Sequence, residues 1–146
     1  MELTLAQYFS GHANSTECTS AVIENAARLI VVCNNVKTEL ETKGVIFFVN
    51  PNTNSIISGS YNGWGGFRTL SCKVGTVSSS HKEGLGVDLH DPDDDIDNYL
   101  FDDHAKNSIH SILSRHGLYI EHPYSTRSWS HWTIREPRSG NHIFYP

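Results

Sequence analysis

Nine histidines stand in this chain of 146 residues, and six of them, His81, His90, His104, His110, His116 and His122, lie close together among Asp and Glu side chains. Imidazoles and carboxylates are the ligands a divalent ion takes, and a catalytic zinc site keeps three of them with one position left open. The most suggestive stretch is SSHKEGLGVDLHD (Ser79–Asp91), where His81 and Asp88 flank Gly84 and Gly86. Glycine lets the chain fold back and bring the imidazole to the carboxylate. Taken alone, H-x-x-G-x-x-x-D is a short pattern that more often marks a surface turn with a solvated His and Asp.

Two other stretches invite a chemical reading. The run Asp91, Asp93, Asp94, Asp95, Asp97 opens like a calcium loop, but Ile96 stands where such a loop needs Gly and Asp102 where it needs Glu. It reads better as the capping and first-turn charge of a following helix, with Arg115 and His116 at the far end. The loop YNGWGGFR (Tyr61–Arg68) sets three Gly and three aromatics beside an Arg. That composition suits close approach to a ligand and equally suits a corner.

These residues need a frame. From Thr19 to about Lys43 the apolar set Val22, Ala26, Leu29, Ile30, Cys33, Val36 and Leu40 recurs at three and four residues, which predicts an amphipathic helix ended by Gly44. Val45–Asn50 and Ser55–Gly59 predict two strands around the turn-rich NPNTN. GVDLHD (Gly86–Asp91) alternates as a strand does. Asp93 to His116 carries a second helical stripe through Ile96, Tyr99, Leu100, Ile109, Ile112 and Leu113, closed by Gly117. LYIEHPY, SWSHWTIR and HIFYP predict three aromatic strands, with Ser139–Asn141 as a hairpin turn between the last two. The order predicts one α+β domain over residues 1–146, a small antiparallel sheet flanked by helices.

Composition narrows the function classes. With 38% hydrophobic and 18% charged residues the chain is an ordinary globular domain, large enough to build a core without a metal staple, so a metal here is expected to be catalytic. A net charge of −5 without a basic cluster argues against nucleic acid as a partner. No run approaches the ~20 apolar residues of a membrane helix, so no membrane insertion is expected. The Met1 segment has neither a basic start nor a continuous apolar stretch, so no export signal is expected. Cys18, Cys33 and Cys72 form no C-x-x-C pair and are expected to be reduced thiols used in packing.

Ser79, His81, Gly84, Gly86 and Asp88 resemble the S-x-H-x-x-G-x-A-x-D signature of the M15-type zinc D-Ala-D-Ala peptidases, a family that includes many phage endolysins. Gly86 departs from it, standing where the signature has Ala. The family's third ligand is a His near the C-terminus, commonly in a Trp-x-His setting, and Trp129, Ser130 and His131 match it. The ending EPRSGNHIFYP looks like phage-type members, and GGFR (Gly65–Arg68) is similar to a stretch whose Arg contacts substrate. The resemblance spans roughly Leu3 to Pro146. It implies zinc held by His81, Asp88 and His131, Arg68 as a substrate-binding residue, a hedgehog/D-Ala-D-Ala peptidase-like fold and hydrolysis of peptide bonds in peptidoglycan stem peptides.

One departure concerns the general base. Many relatives place a Glu three residues before the third ligand, where Ser128 stands, and others a His two before, where Trp129 stands. The nearest upstream candidates are Glu121 and His122. Glu121 is preferred, because a carboxylate beside acidified water can accept and return a proton; its alternative role is to orient a ligand His. In a regular strand Trp129 shares the face of His131 and Trp132 takes the other, and both are read first as core packing. His12, His90, His104, His110, His116 and His142 have no matching role.

The expected protein is therefore a monomeric zinc peptidase of phage or prophage lysis, made in the bacterial cytoplasm without a signal and acting on stem peptides at the cell wall. The alternative is a non-catalytic phage structural or wall-binding module that keeps the fold, as the missing E-x-x-H glutamate permits. A His-rich metal nuclease is disfavoured by charge.

Overall fold

The computed structural model describes residues 1–60, 64–76 and 78–146. A one-turn helix, α1 (Leu5–Tyr8), is closed by a reciprocal cap: the Thr4 hydroxyl accepts from the Gln7 N–H, and the Gln7 side chain accepts from the Thr4 N–H. The predicted stripe becomes α2 (Ser20–Thr42), with the Thr19 hydroxyl accepting from the Val22 N–H. Its Ala26, Leu29, Ile30, Cys33, Val36 and Leu40 are buried. All three cysteines are free, and burial raises the pKa of the Cys33 thiol, as its packing role requires.

Four short strands follow the predicted aromatic and alternating runs: β1 (Gly86–His90), β2 (Tyr119–Glu121), β3 (Trp129–Thr133) and β4 (Ile143–Phe144). Their order is β1-β3-β2-β4. β3 pairs antiparallel with both β1 and β2, whereas β2 pairs parallel with β4. The sheet is therefore mixed, which corrects the expectation of an antiparallel one. The hairpin expected between the last two strands is likewise absent, although Ser139–Asn141 does turn and Gly140 N–H donates to Pro137 O. The reason is edge availability: β1 and β2 already occupy both edges of β3, so the returning chain pairs along the open side of β2.

Two further expectations are corrected. Val45–Asn50 and Ser55–Gly59 form no strands; their ladder is reduced to single bridges, Asn50 to Ser55 and Ile57 to Leu89. The Asn50 side-chain amide donates to the carbonyls of Ile57 and Gly59, taking acceptors that a partner strand would use, while Ile46 and Phe48 stay exposed. The second stripe is not one helix. It divides into α3 (Asp95–Asn107), a 3₁₀ turn (Ser108–His110) and α4 (Ile112–His116), with Ser108 at φ +48°. Asp103 accepts from the Ile112 N–H at 2.7 Å and Ser111 caps α4 by accepting from the Ser114 N–H, so side chains replace the helical bonds at the break. Ile109, which the stripe placed inward, is 75% exposed.

The acidic run does cap α3, through a residue upstream of it: the Asp91 carboxylate accepts from the N–H groups of Ile96 and Asp97. One face of the sheet is core, with Val87, Ile120 and Trp132 fully buried. Tyr8 ties α1 to that layer by donating to Gly86 O at 2.9 Å. Gly84, at φ +77°, lets the 3₁₀ turn Ser80–Glu83 lie against α2, since a Cβ there would meet Val22 O. The whole is a single α+β domain, and among the described residues no helix is long and apolar enough to cross a membrane.

Asp97 is the acid buried deepest in this core, accepting hydrogen bonds from Ser130 and Thr126. Burial outweighs those bonds and raises its pKa to about 7. Below ~4 the group is protonated whether the chain is folded or unfolded. From there to about 7 the unfolded chain ionises it while the folded chain holds its proton, so stability falls as pH rises across that window. Asp97→Asn, which cannot ionise, should lack a decline on the order of 3 kcal/mol between the two limits, measured by urea unfolding at pH 4.5 and 7.5.

Candidate metal centre

The centre is assembled by strand register. Across β1 and β3, Asp88 is paired directly with His131. Across β2 and β3, Ile120 is paired with Trp132, and one step further the same register sets Glu121 beside His131. Phe144 is paired with Glu121 on the outer edge. Because side chains alternate along a strand, this row lies on the face opposite the buried Val87, Ile120 and Trp132.

His81 comes from outside the sheet. The 3₁₀ turn Ser80–Glu83 is capped by Ser79, whose hydroxyl accepts from the His81 N–H, and is closed by Leu85 N–H donating to Ser80 O. This sharp return carries the buried His81 ring over β1. His81 Nε2 lies 3.1 Å from Asp88 Oδ1, His131 Nδ1 lies 2.7 Å from the same oxygen, and the two nitrogens are 3.2 Å apart. Ligands at zinc distances of ~2.0–2.1 Å in a tetrahedron are spaced ~3.3 Å apart, close to this triangle. Among the described residues these three are the group of His, Cys, Asp or Glu side chains whose ligand atoms converge.

The donor set fits a metal chemically. His81 Nδ1 is 2.7 Å from Gly66 O, and a carbonyl only accepts, so Nδ1 holds the proton and Nε2 presents a lone pair to the triangle. Burial, stronger than the pull of Asp88, lowers the pKa of His81 and keeps the ring neutral. Burial pushes Asp88 upward, but the charges and hydrogen bonds of His81 and His131 outweigh it and hold the carboxyl far below the usual carboxylate range. Its second oxygen, Oδ2, accepts from Arg68 Nη2 at 2.9 Å. The outer nitrogen of His131, Nε2, faces Ser80 Oγ at 3.5 Å.

Arg68 is buried, and its Nε donates to Trp64 O at 2.6 Å. Of the Gly-rich stretch singled out in the sequence, Trp64–Arg68 thus contributes two carbonyls and a guanidinium to the frame of the centre; Tyr61, Asn62 and Gly63 lie outside the described residues. A cleft of about 1060 Å³ opens over the triad, with Arg68, Glu121, Trp129, Arg138, Phe144 and Tyr145 on its walls. Glu121 is half-buried there, and desolvation raises its pKa against the charges of His131 and Arg68. Trp129 belongs to the cleft wall and not to the core, a correction that follows from strand alternation, whereas Trp132 is fully buried and donates to Ser130.

His122 is not brought to the triad. It stacks between Tyr124 and Tyr145 at ring distances of 4.9 and 4.7 Å. His12 stacks on Trp64, His104 meets Ser111 and His116 meets Glu39, so these rings serve packing and local bonds. Sequence reasoning missed Ser80 and Gly66, which touch the ligand rings; the serine beside His81 was visible, but nothing local marks it as a partner of His131. No family model, curated protein or solved structure matches this chain.

Purified protein should carry about one zinc per chain, and His131→Ala should lose most of it, because three-ligand sites fail when one ligand goes. Elemental analysis of both proteins checks this, and full occupancy in the variant refutes the ligand set. Arg68→Ala should leave the protein folded but weaken zinc binding about 10–100-fold in a chelator competition, since Asp88 loses the partner on its outer oxygen.

Proposed function

We propose that this chain is a zinc-dependent peptidase that hydrolyses peptide bonds in bacterial peptidoglycan stem peptides, with an M15-type, hedgehog/D-Ala-D-Ala peptidase-like fold. The observation that carries the reading is the convergence, in an open cleft, of His81, Asp88 and His131 with Glu121 on the same sheet face. The signature and the Trp-x-His segment are fifty residues apart in sequence, yet their ligand atoms meet within 3.2 Å.

His81, Asp88 and His131 would hold the ion, which supplies Lewis acidity, acidifying water and polarising the scissile carbonyl. Glu121 is the general base. Its half-buried carboxyl stands beside the triad, and its raised pKa suits a group that takes a proton from water and returns it to the leaving amine. Ser128, at the position where relatives carry glutamate, is held away by its N–H donating to Asp94 Oδ1 at 2.7 Å, while β2 supplies a carboxylate from the neighbouring strand. Arg68 and Arg138 bring positive charge to the cleft, suited to a substrate carboxylate, and Trp129 and Phe144 form apolar walls. The reading carries the role of a phage or prophage lysis enzyme, acting at the cell wall.

Incubated with isolated sacculi, the zinc-loaded protein should release soluble fragments with new amino or carboxyl ends, identified by mass spectrometry. Chelation should stop release and zinc restore it. Glu121→Gln should keep its zinc and lose ~10²–10⁴-fold in turnover. If that variant stays within a few-fold of wild type, the base lies elsewhere. Sedimentation with sacculi without cleavage at any pH between about 6 and 9 would replace the enzyme with a non-catalytic wall-binding module.

A further inference from the structure

Residues 45–49 have the composition of a strand and no strand beside them. Among the described residues, no backbone N–H or C=O group of Ile46, Phe47, Phe48 or Val49 has a backbone partner. The segment is nevertheless fixed at both ends: the Val45 N–H donates to Leu40 O of α2, and past Val49 the Asn50 N–H donates to Ser55 O. Val45 and Phe47 pack inward, the Phe47 ring lying edge-on to Trp132 at 6.2 Å with Lys37 Nζ 5.4 Å from its centre. Ile46 and Phe48 turn outward and are 62% and 43% exposed. From Val45 to Phe48 the burial therefore keeps the period of a strand, held against its own domain with its edge open. Trp132 belongs to the core face of the sheet, so this edge lies away from the cleft.

An open apolar edge is normally blunted by charge, by proline, by a bulge or by a covering element. Here the sequence from Gly44 to Phe67 carries no charged residue, and Pro51 stands just past the run. The strand that fits such an edge is apolar and neutral, and the run itself is one. Val45, Ile46, Phe47, Phe48 and Val49 read nearly the same in both directions. Antiparallel pairing with a second copy about a two-fold axis at Phe47 sets Val45 opposite Val49 and Ile46 opposite Phe48, so every cross-strand pair is apolar and no like charges meet. Pro51, which has no N–H, falls opposite Lys43 and ends the ladder. We infer that two copies of this chain join by antiparallel pairing of residues 45–49, with Ile46 and Phe48 of both copies gathered on one face of the ribbon. Each strand is already ordered by its own domain, which lowers the cost of pairing. Five residues from each chain make a contact well below the ~800 Å² per partner of a standard interface. The protein is then a weak, concentration-dependent dimer and not the expected monomer, whatever the metal centre does.

Sedimentation velocity of the full chain from about 5 to 500 µM should show a monomer–dimer equilibrium that levels off at two chains. Phe48→Lys should raise the dissociation constant about 10-fold or more, because an ammonium would enter the apolar cluster. Its thermal melting should match wild type, since residue 48 is exposed; Ile46→Lys, at the more exposed position, serves as the second variant should the first fail to fold. The register is read by a protein carrying both Ile46→Cys and Phe48→Cys. Mild oxidation should link residue 46 of one copy to residue 48 of the other, identified by peptide mapping, whereas Ile46→Cys alone should link poorly. A single monomer across the whole range would overturn the inference, as would a dimer that both Lys variants leave intact, which would place the interface on another face. Association that runs on without levelling at two chains, or links joining residue 46 to residue 46 in the double variant, would also overturn it.

Discussion

Pairing of Asp88 with His131 across β1 and β3 is the constraint on which the rest of the centre hangs. Side chains alternate with a period of two, so a slip of one residue in either strand would send one of the pair into the core and bring Val87 or Trp132 to the cleft. Both of those residues are fully buried, and their burial holds the register. The hydrophobic face thereby does the positioning for the polar one. Burying a Val or a large aromatic is worth ~1.5–3 kcal/mol each, whereas bringing a carboxylate and two imidazoles together in a poorly solvated pocket is unfavourable without partners.

Those partners come from segments that are not regular structure. Gly66 O holds one ring of the triad, Arg68 the carboxylate and Ser80 the other ring. Each outer atom of the triad is thus occupied by a group of the loop Trp64–Arg68 or the turn Ser80–Glu83, leaving the inner atoms to face one another. Metal-ligating side chains are commonly held in this way, because the outer bond sets both the tautomer and the direction of the lone pair. The ion pair of Arg68 with Asp88 also makes one guanidinium serve the centre and the cleft wall together.

Asp97 shows the same economy behind the sheet. It receives hydrogen bonds from Ser130, next to His131, and from Thr126 in the segment that leads into β3, while its own N–H is taken by Asp91. The start of α3 is therefore bound to the strand that carries the third ligand. A carboxyl buried so fully is costly when ionised, and its presence in the core marks a connection between layers more than a source of net stability.

Local physics made much of this legible in the sequence. Apolar spacing and Thr19 determined α2, since a helical face needs only its own periodicity and a cap; alternation determined β1 and β3 and put Trp132 on the face opposite His131. Residue chemistry drew attention to His81 and Asp88, but only the resemblance to the M15-type signature and its Trp-x-His segment joined His131 to them before any contact was visible. The tertiary structure alone decided which edge β4 took, because that depends on which strands had already filled β3. It alone decided that Val45–Gly59 would pair only through single bridges, that the second stripe would break at Ser108, and that Arg68 would meet Asp88 and Ser80 would meet His131. Periodicity states which face of an element is buried; it is silent on which distant hydroxyl, guanidinium or strand edge arrives beside it, and those arrivals orient the ligands.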